Sequence, residues 1–313
     1  MNILYIVTWY TSHYSNTIKE GIFHYEQILE LQKTCNVILY YPFDKELKKN
    51  FLFSNEKGIS VYRRRLRKNK ILKLFDRLYD IRNIIKKYNI QIIHAHVAGE
   101  AGLTANLTYK IFRIPFLITE HNPIQLSGVE NKRIRKRINN VYKNSKRNFC
   151  VSPYLKQELS KIFPTIKFET MYNGVVSPNI YLTEGNKYYK KGFINCAICA
   201  ALYDKEIKGF QFLLPALKLI NEQGYKVFLH ICGGGKYLEY YKNMGKNLNI
   251  NNSCNFYGQC DKKFIYNLMN EMDFIVSSSL FESAGVSIQE ALLLGKPVLV
   301  TKSGGTNSLV TNE

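Results

Sequence analysis

The sequence predicts an α/β protein made of two doubly wound, Rossmann-like domains in series. Three observations carry this. Strand-like and helix-like runs alternate along the 313 residues, the signature of βαβ units and a mainly parallel sheet. The alternation breaks once, in "SPNIYLTEGNKYYKKG", which is polar, bears Pro and Gly, and has no period. The length and a hydrophobic content of 46% suffice for two separate cores.

The elements follow in order. "NILYIVTW" is rich in branched residues and reads as a first strand, and "GIFHYEQILELQK" has helical spacing. "NVILYYP", "IQIIHAHV", "PFLITEH" and "RNFCVS" read as strands. The helices between and after them are "KILKLFDRLYDIRNIIKKY", "GLTANLTYKIF", "KRIRKRINNVYKNS" and "PYLKQELSKIF", the last with Pro in its first turn. After the break the alternation restarts with strand "FINCAICAAL", helix "GFQFLLPALKLINEQG", strand "KVFLHICG", helix "KYLEYYKNMGKNL" and strand "NSCNFYG". Helix "KKFIYNLMNEM", strand "DFIVSSS", helix "VSIQEALLLG" and strand "PVLVT" complete the series. These runs place a first domain at 1–175, a linker at 176–191 and a second domain at 192–313. Ligands of such sheets bind beyond the carboxyl ends of strands, so the expected site is a central cleft between two facing domains.

Composition narrows the class. No apolar run reaches the roughly 18 residues needed to span a bilayer. "MNILYIVTWY" lacks the basic start and cleavage site of a signal peptide. Seven cysteines at irregular spacing make no disulfide framework, so a cytoplasmic protein is expected. Cys196 and Cys199 form a C-x-x-C inside an apolar run, and no second Cys/His pair stands at zinc spacing. The formal charge is +20. It is concentrated in residues 1–175, with 30 Lys and Arg against 13 Asp and Glu. The first domain therefore suits an anionic partner, whether nucleic acid, lipid or sugar acceptor.

The stretch "FESAGVSIQE" brackets a strand-to-helix turn with Glu282 and Glu290. Backbone amides of Ala284, Gly285 and Val286 would sit at the helix N-terminus, where a diphosphate is favoured. A carboxylate on each side could hold the hydroxyls of a sugar and of a ribose. Taken alone, acids early in a helix are more simply explained as complements of its dipole.

The surroundings change that weighting. Glu282-x7-Glu290 within "MDFIVSSSLFESAGVSIQEALLLGKPVLVTKSGG" resembles the donor-site signature of retaining glycosyltransferases of family 4, which have the GT-B fold. "ALYDKEIKGFQFLLPAL", "LHICGGGKY", "NFYGQC" and "MYNGV" resemble further blocks of that family, as do "ILYIVTWY…GIFHYEQ", "IIHAHV" and "ITEHN" in the first domain. The resemblance implies roles. Glu282 would bind donor-sugar hydroxyls, Glu290 the ribose, and Lys208 the diphosphate, where a cation eases departure of the leaving group. Gly233, Gly258 and Gln259 would line the nucleotide, with Tyr257 to Cys260 meeting the base. His121 would contact the donor sugar, and Gly21 would let backbone approach the diphosphate or acceptor. His94 and His96 alternate on a strand, one of them expected to face the core.

The resemblance implies a retaining hexosyltransferase, moving a sugar from a nucleotide-diphosphate sugar to a glycan or lipid-linked acceptor in cell-surface polysaccharide biosynthesis, such as capsule or lipopolysaccharide. No metal or other cofactor is expected, because Lys208 and the helix end can meet the phosphate charge. Three departures stand out. Leu202 occupies the position where the family usually has an arginine, so half the phosphate clamp is missing unless Lys205 or another residue substitutes. Asn307 and Ser308 replace the usual acid after the last glycine turn. The chain stops at Glu313, where the family runs on to a closing helix, so that helix is expected to be missing.

Two basic tracts, "YRRRLRKNKILKLFDRLYDIRNIIKKY" and "KRIRKRINNVYKNSKR", lie in the first domain. A basic, aromatic-bearing face suits an anionic membrane, so peripheral attachment to the inner face of the cell membrane is a further expectation. No nucleic-acid recognition motif accompanies the charge, and no nucleic-acid partner is expected. A non-catalytic nucleotide-sugar binder and a nucleotide-sugar epimerase of the same fold remain alternatives.

Overall fold

The computed structural model describes residues 1–10, 22–121, 128–175 and 187–310. Gly21 and most of the 176–191 segment lie outside these. The chain divides into two compact units, Met1–Gly174 and Val175–Glu313.

The first unit runs β1 (Asn2–Ile6), α1 (Ile22–Leu31), β2 (Asn36–Asp44), β3 (Phe51–Glu56), β4 (Ile59–Arg65) and α2 (Lys70–Tyr88). It continues β5 (Ile92–His96), α3 (Glu100–Phe112), β6 (Phe116–Glu120), α4 (Lys132–Asn144), β7 (Arg147–Cys150), α5 (Pro153–Ile162) and β8 (Phe168–Thr170). The strand order is β3-β4-β2-β1-β5-β6-β7-β8. Every pairing is parallel except β3 with β4. That hairpin was not legible as strands. Its turn uses Lys57 and Gly58 at positive φ, and the basic run Arg63–Arg65, read as part of a charged tract, ends β4. Helix α2 matches its sequence run. Asn69 caps it by accepting from the amides of Ile71 and Leu72, and Asn89 ends it in the left-handed conformation.

The second unit runs β9 (Ile194–Cys199), α6 (Phe210–Glu222), β10 (Val227–Cys232), α7 (Leu238–Asn247) and β11 (Cys254–Gly258). Then come α8 (Lys262–Glu271), β12 (Phe274–Ser277), α9 (Val286–Leu293), β13 (Val298–Val300) and a 3-10 turn at Gly305–Ser308. The order is β11-β10-β9-β12-β13, all parallel. Strand alternation sends Cys196 and Ile198 into a layer with Leu214, Leu217 and Tyr241. Ala197 and Cys199 join Tyr266, Met269, Ile288 and Ala291 on the other face. Cys196 and Cys199 therefore face opposite sides of the sheet, and all seven cysteines are free.

Each sheet has a point where the strand order reverses: between β1 and β5 in the first unit, and between β9 and β12 in the second. In open α/β sheets such a point opens a crevice at the strands' carboxyl ends, where ligands bind.

Candidate functional site

In the second unit the loop after β9 and the loop after β12 meet at the reversal point. Ser278 Oγ donates to the Lys208 carbonyl at 2.7 Å, and the Leu280 amide donates to the Ile207 carbonyl at 2.7 Å. The approach is so close that a Cβ on Gly209 would lie 1.9 Å from the Ser278 carbonyl oxygen, and Gly209 has φ +67°. Only glycine meets both conditions. The result is an ion pair: Lys208 Nζ lies 2.7 Å from Glu282 Oε2.

Glu282 is fixed by its backbone as well. Its amide donates to the Ser303 carbonyl at 2.8 Å, and its carbonyl accepts from the Gly305 amide at 2.7 Å. Burial pushes its carboxyl up. The Lys208 ammonium and the amides of Gly285 and Ala284 outweigh that and hold it below the usual carboxylate value. The amides of Ala284 and Gly285, expected to face a phosphate, thus serve Glu282 itself. Gly285 caps α9 in the left-handed region, and Val286 is the helix's first residue.

Glu290 lies further along α9, 6% exposed. Its carboxylate accepts from Lys262 Nζ and, at 3.1 Å, from the Tyr266 hydroxyl. Both partners come from α8, and neither was singled out from sequence. The signal was there in retrospect: Lys262 and Tyr266 stand four apart, on one face of a helix.

Gly233, Gly258 and Gln259 come together at the ends of β10 and β11. The Gly233 amide donates to the Gly258 carbonyl at 2.8 Å, and Gly234 packs against Gln259. A cavity of about 580 Å³ is lined by Tyr257, His230, Phe228, Phe193, Asn251 and Asn252 among others. It holds neither Lys208 nor Glu282.

In the first unit, four histidines gather beside the β1/β5 reversal. His96 Nδ1 lies 2.8 Å from His121 Nε2, and His94 Nε2 2.7 Å from Thr119 Oγ1. The Tyr5 hydroxyl lies 3.2 Å from His24 Nδ1. Rings of His24 and His96 meet edge-on at 4.6 Å, and those of His94 and His96 lie tilted at 4.3 Å. Residues two apart on a strand share a face, so His94 and His96 both join this group, rather than one alone facing the core. Burial pushes His94 down to about 4 and His121 to about 3, with His94 adding to the effect on His121. His24 and His96 are also driven well down by burial. All four are neutral near pH 7. Beside them, burial pushes Glu120 up to about 7, and it accepts from the Tyr142 hydroxyl at 2.8 Å.

Leu202 is fully buried among Phe210, Leu214 and Tyr241. Lys205 lies over the Tyr240 ring. Asn307 and Ser308 belong to the 3-10 turn, where the Ser308 hydroxyl donates to the Gly305 carbonyl at 2.7 Å. Among the described residues, no group of three or more His, Cys, Asp or Glu side chains could hold a metal ion. Gly21 lies outside the described residues.

Residues 24–177 match the family described as Glycosyltransferase Family 4, and residues 195–313 match Glycosyl transferases group 1. The chain belongs to the GT-B glycosyltransferases. An uncharacterized glycosyltransferase of Methanocaldococcus jannaschii is 23% identical over 290 residues, covering 92% of this chain and 76% of the relative. Protein CapJ of Staphylococcus aureus is 28% identical over 179 residues, which are 55% of this chain and 44% of CapJ. Among solved GT-B structures, sucrose-phosphate synthase from Thermosynechococcus elongatus superposes with a TM-score of 0.80 at 14% identity. That match covers 99% of this chain and 84% of the synthase chain. HepE of Anabaena, solved with UDP and glucose, gives 0.74 at 18% identity over 100% of this chain and 83% of HepE. These likenesses confirm the GT-B fold.

Proposed function

We propose that this glycosyltransferase moves a sugar from a nucleotide-diphosphate sugar to a glycan or lipid-linked acceptor, with retention and without a metal. The carrying observation is the Lys208–Glu282 pair at the β9/β12 reversal, beside the amides of Ala284 and Gly285. A diphosphate entering there exchanges places with the Glu282 carboxylate. Lys208 and the α9 amides then meet phosphate oxygens, and Glu282 turns to sugar hydroxyls. As the glycosidic bond breaks, negative charge grows on the departing phosphate oxygen, and the fixed ammonium lowers that barrier. Gly233, Gly258 and Gln259 line the nucleotide, and Glu290, positioned by Lys262 and Tyr266, receives the ribose.

Relatives support this reading. HepE is solved with UDP-glucose, a donor of the proposed class. Free thiols such as Cys199 and Cys260 fit a cytoplasmic site. The test is a thermal-shift screen of UDP-, GDP-, ADP- and CMP-sugars, then transfer from the stabilising donor in EDTA, with product anomer assigned by NMR. Inverted product, or transfer that stops in EDTA and returns with Mg²⁺, overturns the mechanism.

The buried Leu202 favours one second reading: a nucleotide-sugar binder with half a phosphate clamp. Donor turnover excludes it. Turnover of donor with no acceptor present indicates the epimerase instead.

A further inference from the structure

We propose that the cavity at the amino-terminal ends of β10 and β11 is a second, non-catalytic site that takes sugar rings of a glycan chain. It belongs to the second unit alone. Phe228 enters it from the start of β10, Asn255 from β11, and Phe193 from just before β9. Asn251 and Asn252, in the turn ahead of β11, form an exposed rim. The volume of about 580 Å³ falls in the roughly 300–1,000 Å³ range of ligand sites. From Phe228 to Gly233 the chain advances roughly 16 Å, so the cavity stands apart from the donor loops at the carboxyl ends.

Polar groups beneath the wall hold it in place. Glu271, the last residue of α8, accepts from the amides of Lys187, Tyr188 and Tyr189 at 3.0, 2.6 and 3.0 Å. Fully buried Asn195 accepts from the Lys190 amide at 2.8 Å, and its Nδ2 donates to the carbonyls of Lys190 and Phe193. These contacts fix which way its amide points. His230 Nε2, 3.2 Å from Asn195 Oδ1, therefore carries the proton. His230 Nδ1 then accepts from the Tyr257 hydroxyl at 2.9 Å. With these groups satisfied inside the wall, aromatic rings and the rim amides are left for a ligand.

Ring geometry identifies its class. Phe193 and Phe228 meet at 80°, and Phe228 and His230 at 55°. Such a corner offers no parallel slot for a flat base, whereas a puckered pyranose presents C–H groups to rings on several sides. Amides both donate and accept, as sugar hydroxyls do. Among the described residues that line the cavity, Lys190 alone is charged near pH 7, which admits acidic as well as neutral sugars. The choice of a glycan rests on the transfer reading; the cavity itself does not. A chain held here stays with the enzyme between transfers, which raises its effective concentration.

Saturation-transfer NMR on the whole chain, without donor, uses chitotriose, maltotriose and a hyaluronan tetrasaccharide as probes. At least one is expected to bind saturably and to move the amide resonances of Phe228 and of residues 251–255. Asn251→Ala with Asn252→Ala should weaken that binding about tenfold, and Phe193→Ala should weaken it at least as much. Both asparagines are exposed, so their variant should melt like the parent, and it remains the test if the Phe193 variant does not fold. Binding of none of the three probes, binding undiminished by the asparagine variant, or shifts confined to the loops of Lys208 and Glu282 overturns the proposal. If UMP alone moves the Phe228 and Asn252 resonances, the occupant is a nucleotide and the proposal falls. Donor turnover is measured separately, so sugar binding can fail while transfer stands, and the reverse.

Discussion

The Lys208 ammonium and a Glu282 carboxylate oxygen stand 2.7 Å apart, delivered by loops after the two strands that flank the second sheet's reversal point. The pair is partly buried, with 25% and 19% of the side chains exposed. Neither residue reaches this position by its own preference. The Gly209 approach to Ser278 sets one side, and the Ser303–Gly305 segment sets the other.

Lys208→Ala should therefore raise the Glu282 pKa. Burial already pushes that carboxyl up, and the strongest opposing influence is Lys208. A carbon-detected NMR titration of the glutamate carboxyls reads the change, and an unmoved Glu282 resonance would count against the pairing. Transfer by the same variant should fall on the order of 10²–10³-fold, the usual cost of losing one stabilising group at a developing charge.

Gly209→Ala should destabilise the second unit by more than the roughly 1–3 kcal/mol of backbone strain alone. The added methyl meets the Ser278 carbonyl oxygen at 1.9 Å. Gly224→Ala is the control, because Gly224 also has positive φ but faces open space. Chemical denaturation of the two variants separates clash from strain, and equal losses would remove the argument from close approach.

The Lys262–Glu290 pair is 14% and 7% exposed. Lys262→Met alone should cost about 3–5 kcal/mol, since it strands a buried carboxylate. Adding Glu290→Leu should recover part of that loss. A double-mutant cycle in urea measures it, and simple additivity would show that the two groups do not interact.

Stability should fall on acidification from about pH 6.5 toward pH 4. The four buried histidines have folded pKa values below the unfolded value of about 6.5. The unfolded chain then binds more protons in that window, and their contribution, intact above it, is lost as pH falls. Glu120 acts in the opposite sense. Its pKa is raised to about 7, so its contribution is present at low pH and lost as pH rises from about 4.5 through 7. Four groups against one leave the histidines dominant. Thermal melts across pH 4–8 test the balance, and a melting temperature that rises on acidification would refute it.

Much of this architecture was legible in the sequence because strands buried on both faces read as continuous apolar runs, as in "NCAIC" and "FLHIC". The β3–β4 hairpin was not, because β3 alternates half-buried with exposed positions and β4 ends in three arginines. The site residues of the second unit were legible as a spacing, Glu282-x7-Glu290, with a Lys-Gly pair upstream. Their partners were not. That Lys262 meets Glu290, and that Glu282 takes the amides of Ala284 and Gly285, depends on how separate segments converge. The same holds for the histidines: His94 and His96 stand two apart on β5, but His24 from α1 and His121 after β6 join them only in the fold.

The strand orders also bear on how the chain comes to be folded. In each sheet the first strand made is an inner one: β1 lies between β2 and β5, and β9 between β10 and β12. Growth from that strand is two-directional. β1 finds β2 after one short helix, but its other partner begins at Ile92. β9 likewise waits for Phe274. Such long-range pairings slow folding, because loop closure must precede the contacts that reward it. During synthesis, one edge of each founding strand stays open while most of its unit is still to be made. That open edge is the interval in which the chain is most exposed to wrong pairing.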